Sequence, residues 1–200
     1  MTDSINRPMA GRISVWLQER VREADALKVA RSLSIRTHVA DLTAAYDALI
    51  LKVPHSEGIE LTNVRPRLRM AALYCAAQSM NYLVSGTSNK TETMIGYFTK
   101  WGDGACDVQP LAELYKFQVY ELAREIGIPE EVLAKAPTAD LWEGQTDENE
   151  IGMTYADLDA ILQAIETGEL AAHDPESVER VRKMIAASEH KRRPIPVFRP

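Results

Sequence analysis

The sequence predicts an α/β protein whose small parallel sheet is flanked by helices. Three observations carry that expectation. First, segments with apolar residues at three- and four-residue spacing alternate with short runs of strand character. Second, the run Tyr82-Leu83-Val84-Ser85-Gly86 reads as a short buried strand, and Thr87, Lys90, Glu92, Lys100, Asp103 and Asp107 come closely after it. Ligands of open α/β sheets sit beyond the carboxyl ends of strands, where a nucleotide–metal site needs hydroxyl, carboxylate and ammonium groups. A solvated loop is the plainer reading of the same charges. Third, 200 residues with 46% apolar and 26% charged side chains describe one medium domain large enough for a real core.

Along the chain, Ile13, Trp16, Leu17, Val21, Ala24 and Leu27 recur at helical spacing and predict one amphipathic helix, running on towards Leu33. Residues 35–41 alternate like a half-buried strand, and residues 44–51 read as a short helix. Thr62-Asn63 is placed to cap a helix containing Arg67, Arg69, Met70, Leu73 and Tyr74, with Pro66 in its first turn. After the strand at 82–86 and its loop, residues 116–126 form a helix ended by Gly127 and Pro129. Residues 138–149 are polar and acidic without periodicity and are expected to form a mobile loop. Thr154 with Asp157 suggests a capping box for a helix over 155–165, and Asp174-Pro175 opens the last helix, to about Ala187.

Composition narrows the function classes. A net charge of −6 gives no whole-chain attraction for nucleic acid or anionic membrane, so a polyanionic ligand needs local Lys and Arg. No apolar run approaches the ~20 residues of a membrane helix, and the first residues lack the apolar centre of a signal peptide. A cytoplasmic protein is expected, with Cys75 and Cys106 as free thiols.

Five strings then identify a likeness: NVRPRLRM (63–70), GTSNKTE…GYFTKWGDGACD (86–107), PLAELYK (110–116), KAPTADLWEGQTDENEIGMTYADLD (135–159) and SEHKRRP (188–194). Together they resemble the carboxyl-terminal two thirds of the ammonia-dependent NAD synthetase family, without a gap over roughly residues 60–198. The resemblance implies an adenine-nucleotide α-hydrolase-like fold in a single domain spanning 1–200. It implies a ligase that activates the nicotinate carboxylate of deamido-NAD as an acyl-adenylate with ATP and Mg2+, releasing pyrophosphate. Ammonia then displaces AMP. Carried over by position, Thr87, Lys116 and Thr138 resemble ATP contacts and Glu92 a magnesium ligand. Arg67, Lys100, Asp107, His190 and Lys191 resemble the deamido-NAD set, with Asp107 and Lys116 the catalytic candidates. The likeness also implies a homodimer that builds each dinucleotide site from two chains.

The residue types suit that chemistry. Adenylation builds negative charge on phosphate oxygens, which a cation and an ammonium group stabilise in place. Magnesium takes hard oxygen ligands and keeps waters, so one carboxylate such as Glu92 suffices. Lys116 opens a helix whose first N–H groups attract anions. Asp107 beside Lys100 suits the amide-forming end of the substrate or proton removal from ammonia, a plain salt bridge being the alternative. Arg67 and Arg69 diverge on a helix, so only one faces a ligand. The run His190-Lys191-Arg192-Arg193 reads either as a solvated tail or as a strap over a dinucleotide phosphate. Trp142-Glu143-Gly144-Gln145-Thr146 lies in a loop expected to close and exclude water from the adenylate.

The chain departs from the family in one respect. The family's phosphate loop, Ser-Gly-Gly-x-Asp-Ser, has no counterpart, since the sequence contains no Gly-Gly pair. The predicted helix at 13–24 resembles the family's first helix, and from Asp25 the chain resembles the family's segment after its second strand. The expectation is an internal deletion with its junction near Ala24-Asp25, a sheet reduced accordingly and activity impaired for want of the groups that hold pyrophosphate. The competing reading is a catalytically impaired binding or regulatory remnant that binds deamido-NAD or pairs with an intact synthetase. A GMP synthetase is disfavoured by GYFTKWGDGACD and TADLWEGQTDE. A glutamine-using version needs an amidase domain for which 200 residues leave no room, so free or delivered ammonia is the expected nitrogen source.

Overall fold

A computed structural model describes residues 12–15, 20–53, 58–138 and 144–199. Strand β1 (Arg12–Val15) pairs in parallel with β2 (Arg36–Val39), Arg12 opposite Arg36 and Val15 opposite Val39. Helix α1 (Arg20–Ser32) is the crossover between them, completing a βαβ unit. This corrects the expected helix over 13–24. Ile13-Ser14-Val15 fits a strand period as well as a helical one, and pairing with β2 decides for the strand. Trp16 and Leu17 lie outside the described residues. The expected junction at Ala24-Asp25 falls inside α1, which runs on without a break.

Helix α2 (Thr43–Ile50) and the single turn α3 (Ile59–Thr62) lead to α4 (Val64–Met80). Asn63 stands at the start of α4 but does not cap it; its Oδ1 accepts from Thr99 Oγ1 at 2.8 Å. The helix ends on Asn81 in a left-handed conformation. The expected strand at 82–86 is reduced to one parallel bridge, Ser85 to Val108, closed by Gly86 N to Val108 O at 2.7 Å and Asp107 N to Val84 O at 2.9 Å. Only one side of this run has a ladder partner among the described residues, and Leu83 is left 72% exposed. Apolar strand residues without a second neighbour gain little from extended pairing, which accounts for the shortened strand.

The core sits in the carboxyl-terminal helical layer. Helices α5 (Lys90–Ile95), α6 (Lys116–Glu125), α8 (Asp147–Ile151), α9 (Tyr155–Thr167) and α10 (Pro175–Ala187) surround Ile95, Ile151, Leu158, Leu162, Val178 and Val181. Tyr155, Leu158, Asp159 and Leu162 fall on one stripe of α9, so the period that predicts the helix also selects its buried face. Full burial of Leu158 and Leu162 contributes about 1.5–3 kcal/mol each. Thr154 accepts from Asp157 N, but the reciprocal half of the expected box is replaced by the Thr154 hydroxyl donating to Asp157; Asp174 accepts from Ser177 N, Pro175 opens α10, and Gly127 closes α6 at φ +76, as expected. Between α6 and α8 lies α7 (Glu130–Leu133), tied to α1 by the ion pair Lys28–Glu131, and Lys135 just after it pairs with Asp25 of α1. The last helical turn is α11 (Glu189–Arg192).

Candidate active site

The strand end at 84–86 delivers the chain into α5 through a loop that needs glycine. A Cβ on Gly86 would lie 2.7 Å from Cys106 Sγ. Asn89 caps α5: its side chain accepts from Glu92 N at 2.9 Å, and Glu92 Oε2 accepts from Asn89 N at 3.1 Å. That box fixes Glu92, whose other oxygen receives Lys116 Nζ at 2.8 Å. Both side chains are half-buried, at 16% exposure each, so this pair is shielded from water far more than a surface pair. Thus the structure joins two site candidates that the sequence separates by 24 residues.

Lys116 is held from three directions. Its N–H donates to Thr91 Oγ1 at 2.9 Å, its ammonium meets Glu92, and the same ammonium lies 4.8 Å from the Tyr155 ring centroid. Asp159 completes the support: its carboxylate accepts from Phe117 N at 2.9 Å and from the Thr91 hydroxyl. The first two N–H groups of α6 are therefore occupied within the protein, which corrects the expectation of free donors for an anion there. Burial pushes the Asp159 carboxyl above its usual range, against hydrogen bonds from Thr91 and the backbone.

A second buried carboxylate, Asp147, joins the ends of the acidic segment to this centre. Asp147 accepts from Tyr97 OH at 3.1 Å and Tyr155 OH at 2.9 Å, and its own N–H donates to Pro137 O at 2.9 Å. The single Tyr97 hydroxyl proton is shared between Asp147 and Glu150, whose Oε2 lies closer at 2.7 Å, and Gln145 Nε2 donates to Glu150 at 2.6 Å. The expected mobile loop over 138–149 is thus corrected for 144–149: Gln145 and Asp147 are buried, and α8 begins at Asp147 under a Thr146 cap. Residues 139–143, with Trp142 and Glu143, lie outside the described residues. Thr138 is half-buried next to Pro137. Burial raises the Asp147 carboxyl and both tyrosine hydroxyls above their ordinary pKa values, with neighbouring carboxylates adding to the tyrosine shifts.

The remaining candidates form two further groups. Asp107 accepts from Val84 N at 2.8 Å and from Tyr74 OH at 3.3 Å, which ties the bridge strand to α4. Its partners are not Lys100, contrary to the expected juxtaposition. Thr87 is exposed just past the same strand, and Arg67 is exposed on α4. Lys100 donates to His190 O at 2.5 Å, while Lys191 Nζ donates to Gly96 O at 2.6 Å and Phe98 O at 2.7 Å. The basic segment therefore straps the 96–100 turn through main-chain carbonyls. Gly96, at φ +72, permits that approach, since a Cβ there would fall 2.1 Å from Ser188 Cβ. Burial lowers the Lys191 pKa.

Sequence reasoning missed Thr91, Asp159, Asp147, Tyr97 and Tyr155. One signal was available: Asp159 is a carboxylate on the apolar stripe of α9, where a charge needs partners.

The βαβ unit and a glutamate–lysine pair on two helices that follow a parallel bridge make this an α/β protein, and its likeness to solved NAD synthetases is consistent with the adenine-nucleotide α-hydrolase-like class. The comparisons with known proteins agree. The NAD synthase family model matches residues 14–195. The NH3-dependent NAD+ synthetase of Carboxydothermus hydrogenoformans is 48% identical over 176 residues, covering 86% of this chain and 70% of that protein. That of Archaeoglobus fulgidus is 45% identical over 175 residues, covering 88% of this chain and 70% of that protein. Among solved structures, NMN synthetase from Francisella tularensis superposes with a TM-score of 0.84 at 35% identity, covering 94% of this chain and 77% of that one. The NH3-dependent NAD synthetase of Campylobacter jejuni, solved with a nitrate ion, gives a TM-score of 0.80 at 25% identity, covering 94% and 78%. This chain belongs to the NAD synthase family.

Proposed function

We propose that this chain makes NAD from deamido-NAD, ammonia and ATP, and that Glu92, Lys116 and Thr138 form its ATP side. The Glu92–Lys116 pair carries the reading: a carboxylate and an ammonium, held at 2.8 Å on two helices, are poised for a cation and a phosphate respectively. Magnesium fits this donor set, since Glu92 is a hard oxygen ligand fixed by the Asn89 box, and phosphate and water supply the rest of its usual shell. Bound there, the ion would neutralise phosphate charge.

In the chemistry proposed, a nicotinate carboxylate oxygen attacks the α-phosphorus of ATP. The bond from that phosphorus to the bridging oxygen breaks, and pyrophosphate leaves. The nitrogen of ammonia then attacks the acyl carbon, AMP leaves with the acyl oxygen and the nitrogen loses a proton. Lys116 is proposed to leave Glu92 for the phosphate charge, and Thr87 and Thr138 to bind ATP. Arg67, Lys100, Asp107, His190 and Lys191 are proposed to bind deamido-NAD, Asp107 also orienting or deprotonating ammonia. A homodimer and a cytoplasmic location belong to the same proposal.

The absence of any Gly-Gly pair and the exposure of Leu83 in the shortened strand favour a second reading, an impaired synthetase that binds deamido-NAD or joins an intact partner. The deciding experiment is NAD formation by the purified chain from deamido-NAD, MgATP and ammonia, followed by mass spectrometry. NAD and AMP appearing together support the ligase. Ligand binding by a folded chain without NAD or AMP supports the impaired form.

A further inference from the structure

We infer that Asp147 is a positioning residue that sets Lys116 and Thr138 together for ATP; this rests on the ATP reading given above. Asp147 reaches both through different atoms. Its backbone N–H holds Pro137 O at 2.9 Å, one residue before Thr138. Its carboxylate holds Tyr155 OH at 2.9 Å, and the ring of that tyrosine carries the Lys116 ammonium on its face at 4.8 Å. The other carboxylate oxygen takes Tyr97 OH, which continues to Glu150 and Gln145, so the segment entering α8 is fastened to the turn after α5. Asp147 is 5% exposed and Tyr155 6%, so water offers neither a replacement partner.

Among the described residues Lys116 has one ion-pair partner, Glu92, which a bound metal ion would engage. Two buried carboxylates then flank the lysine through neighbours, Asp147 behind the Tyr155 ring and Asp159 through the Thr91 hydroxyl. An acidic run with no periodicity thus contains one residue whose position, rather than its exposure to ligand, matters to the site.

The test uses the full 200-residue chain and the variants Asp147→Asn, Asp147→Ala and Tyr155→Phe. MgATP and deamido-NAD affinities are read by calorimetry, and the 134–151 peptides by hydrogen exchange. Loss of such an outer support typically costs about 10-fold or more in ligand affinity. The expected result is that MgATP weakens by about that factor in Asp147→Ala and less in Asp147→Asn, which keeps one acceptor. Deamido-NAD affinity should hold, and exchange should quicken at 134–138 and 145–151. Equal weakening of both ligands would mean a general structural role and overturn the inference. So would MgATP affinity and exchange like wild type in a folded variant. If Asp147→Ala does not fold, Asp147→Asn and Tyr155→Phe decide by the same criteria. Wild-type chain that binds no MgATP overturns the ATP reading itself, and with it any role of Asp147 towards that ligand.

Discussion

Replacing Asp159 with alanine should destabilise the chain more than any exposed carboxylate replacement. Asp159 is 2% exposed on α9 and serves α5 and α6, accepting from Thr91 Oγ1 and Phe117 N. Alanine leaves the buried Thr91 hydroxyl and the part-buried Phe117 N–H without their acceptor, at about 1–3 kcal/mol each, so about 4 kcal/mol is expected. For a chain of this size the melting temperature should fall by about 8–16 °C. Asparagine keeps one acceptor and should lose about half as much. Asp157→Ala, on the exposed side of the same helix, should cost under about 1 kcal/mol. The assay is urea unfolding followed by helical circular dichroism, with midpoints compared at equal slope. The pH dependence gives a second check. Burial holds the folded Asp159 pKa above the free value of 3.8, so wild type gains stability as pH falls through the folded value towards 3.8. Asp159→Asn lacks that gain, and the gap between the two should widen on acidification. An alanine variant that melts with wild type, or a gap that narrows, would refute the account of how α6 is held.

Glu92→Ala should abolish the magnesium dependence of ATP binding, and a titration showing no such dependence in wild type would remove Glu92 from the metal. Lys100→Ala should weaken deamido-NAD binding; it also releases His190 O, so unchanged affinity in calorimetry would exclude both a direct contact and an effect through the strap. Inserting a family-type strand, phosphate loop, helix and strand between Ala24 and Asp25 should raise NAD formation steeply. A folded product with no gain would show that the proposed deletion is not the defect.

The carboxyl-terminal helices were legible because their information is local. Thr154, Asp174, Pro175 and Gly127 punctuate the chain, and the α9 stripe states its buried face. The features that could not be read depend on distant partners. Residues 12–15 become a strand because Arg36–Val39 lies beside them, and residues 82–86 shorten because one side has no ladder partner among the described residues. Glu92 and Lys116 were legible as residue types in a familiar string, but their mutual 2.8 Å contact was not. Asp107 shows the reverse. The string marked it for ligand, while the structure gives its carboxylate to Val84 N and Tyr74 OH, leaving any ligand role to its remaining lone pairs.

The two halves of the proposed site rest on supports of unequal strength. Glu92, Lys116 and the Pro137–Thr138 corner are fastened to the helical layer, whose core includes fully buried Leu158, Leu162 and Val181. Thr87 and Asp107 sit instead at a strand whose apolar flank, Tyr82 and Leu83, is exposed. If strands and a phosphate loop are missing where proposed, the loss falls on the strand side and on the pyrophosphate. It spares the ion pair and its buried carboxylates, whose hydrogen-bond partners among the described residues lie on the helices and the turns between them. Binding and turnover should therefore separate: MgATP retained through the helical layer, but adenylation slow because the leaving pyrophosphate lacks its donors. Loss of binding and turnover together would mean instead that the helical layer depends on the sheet, and that its own core does not suffice to hold the site.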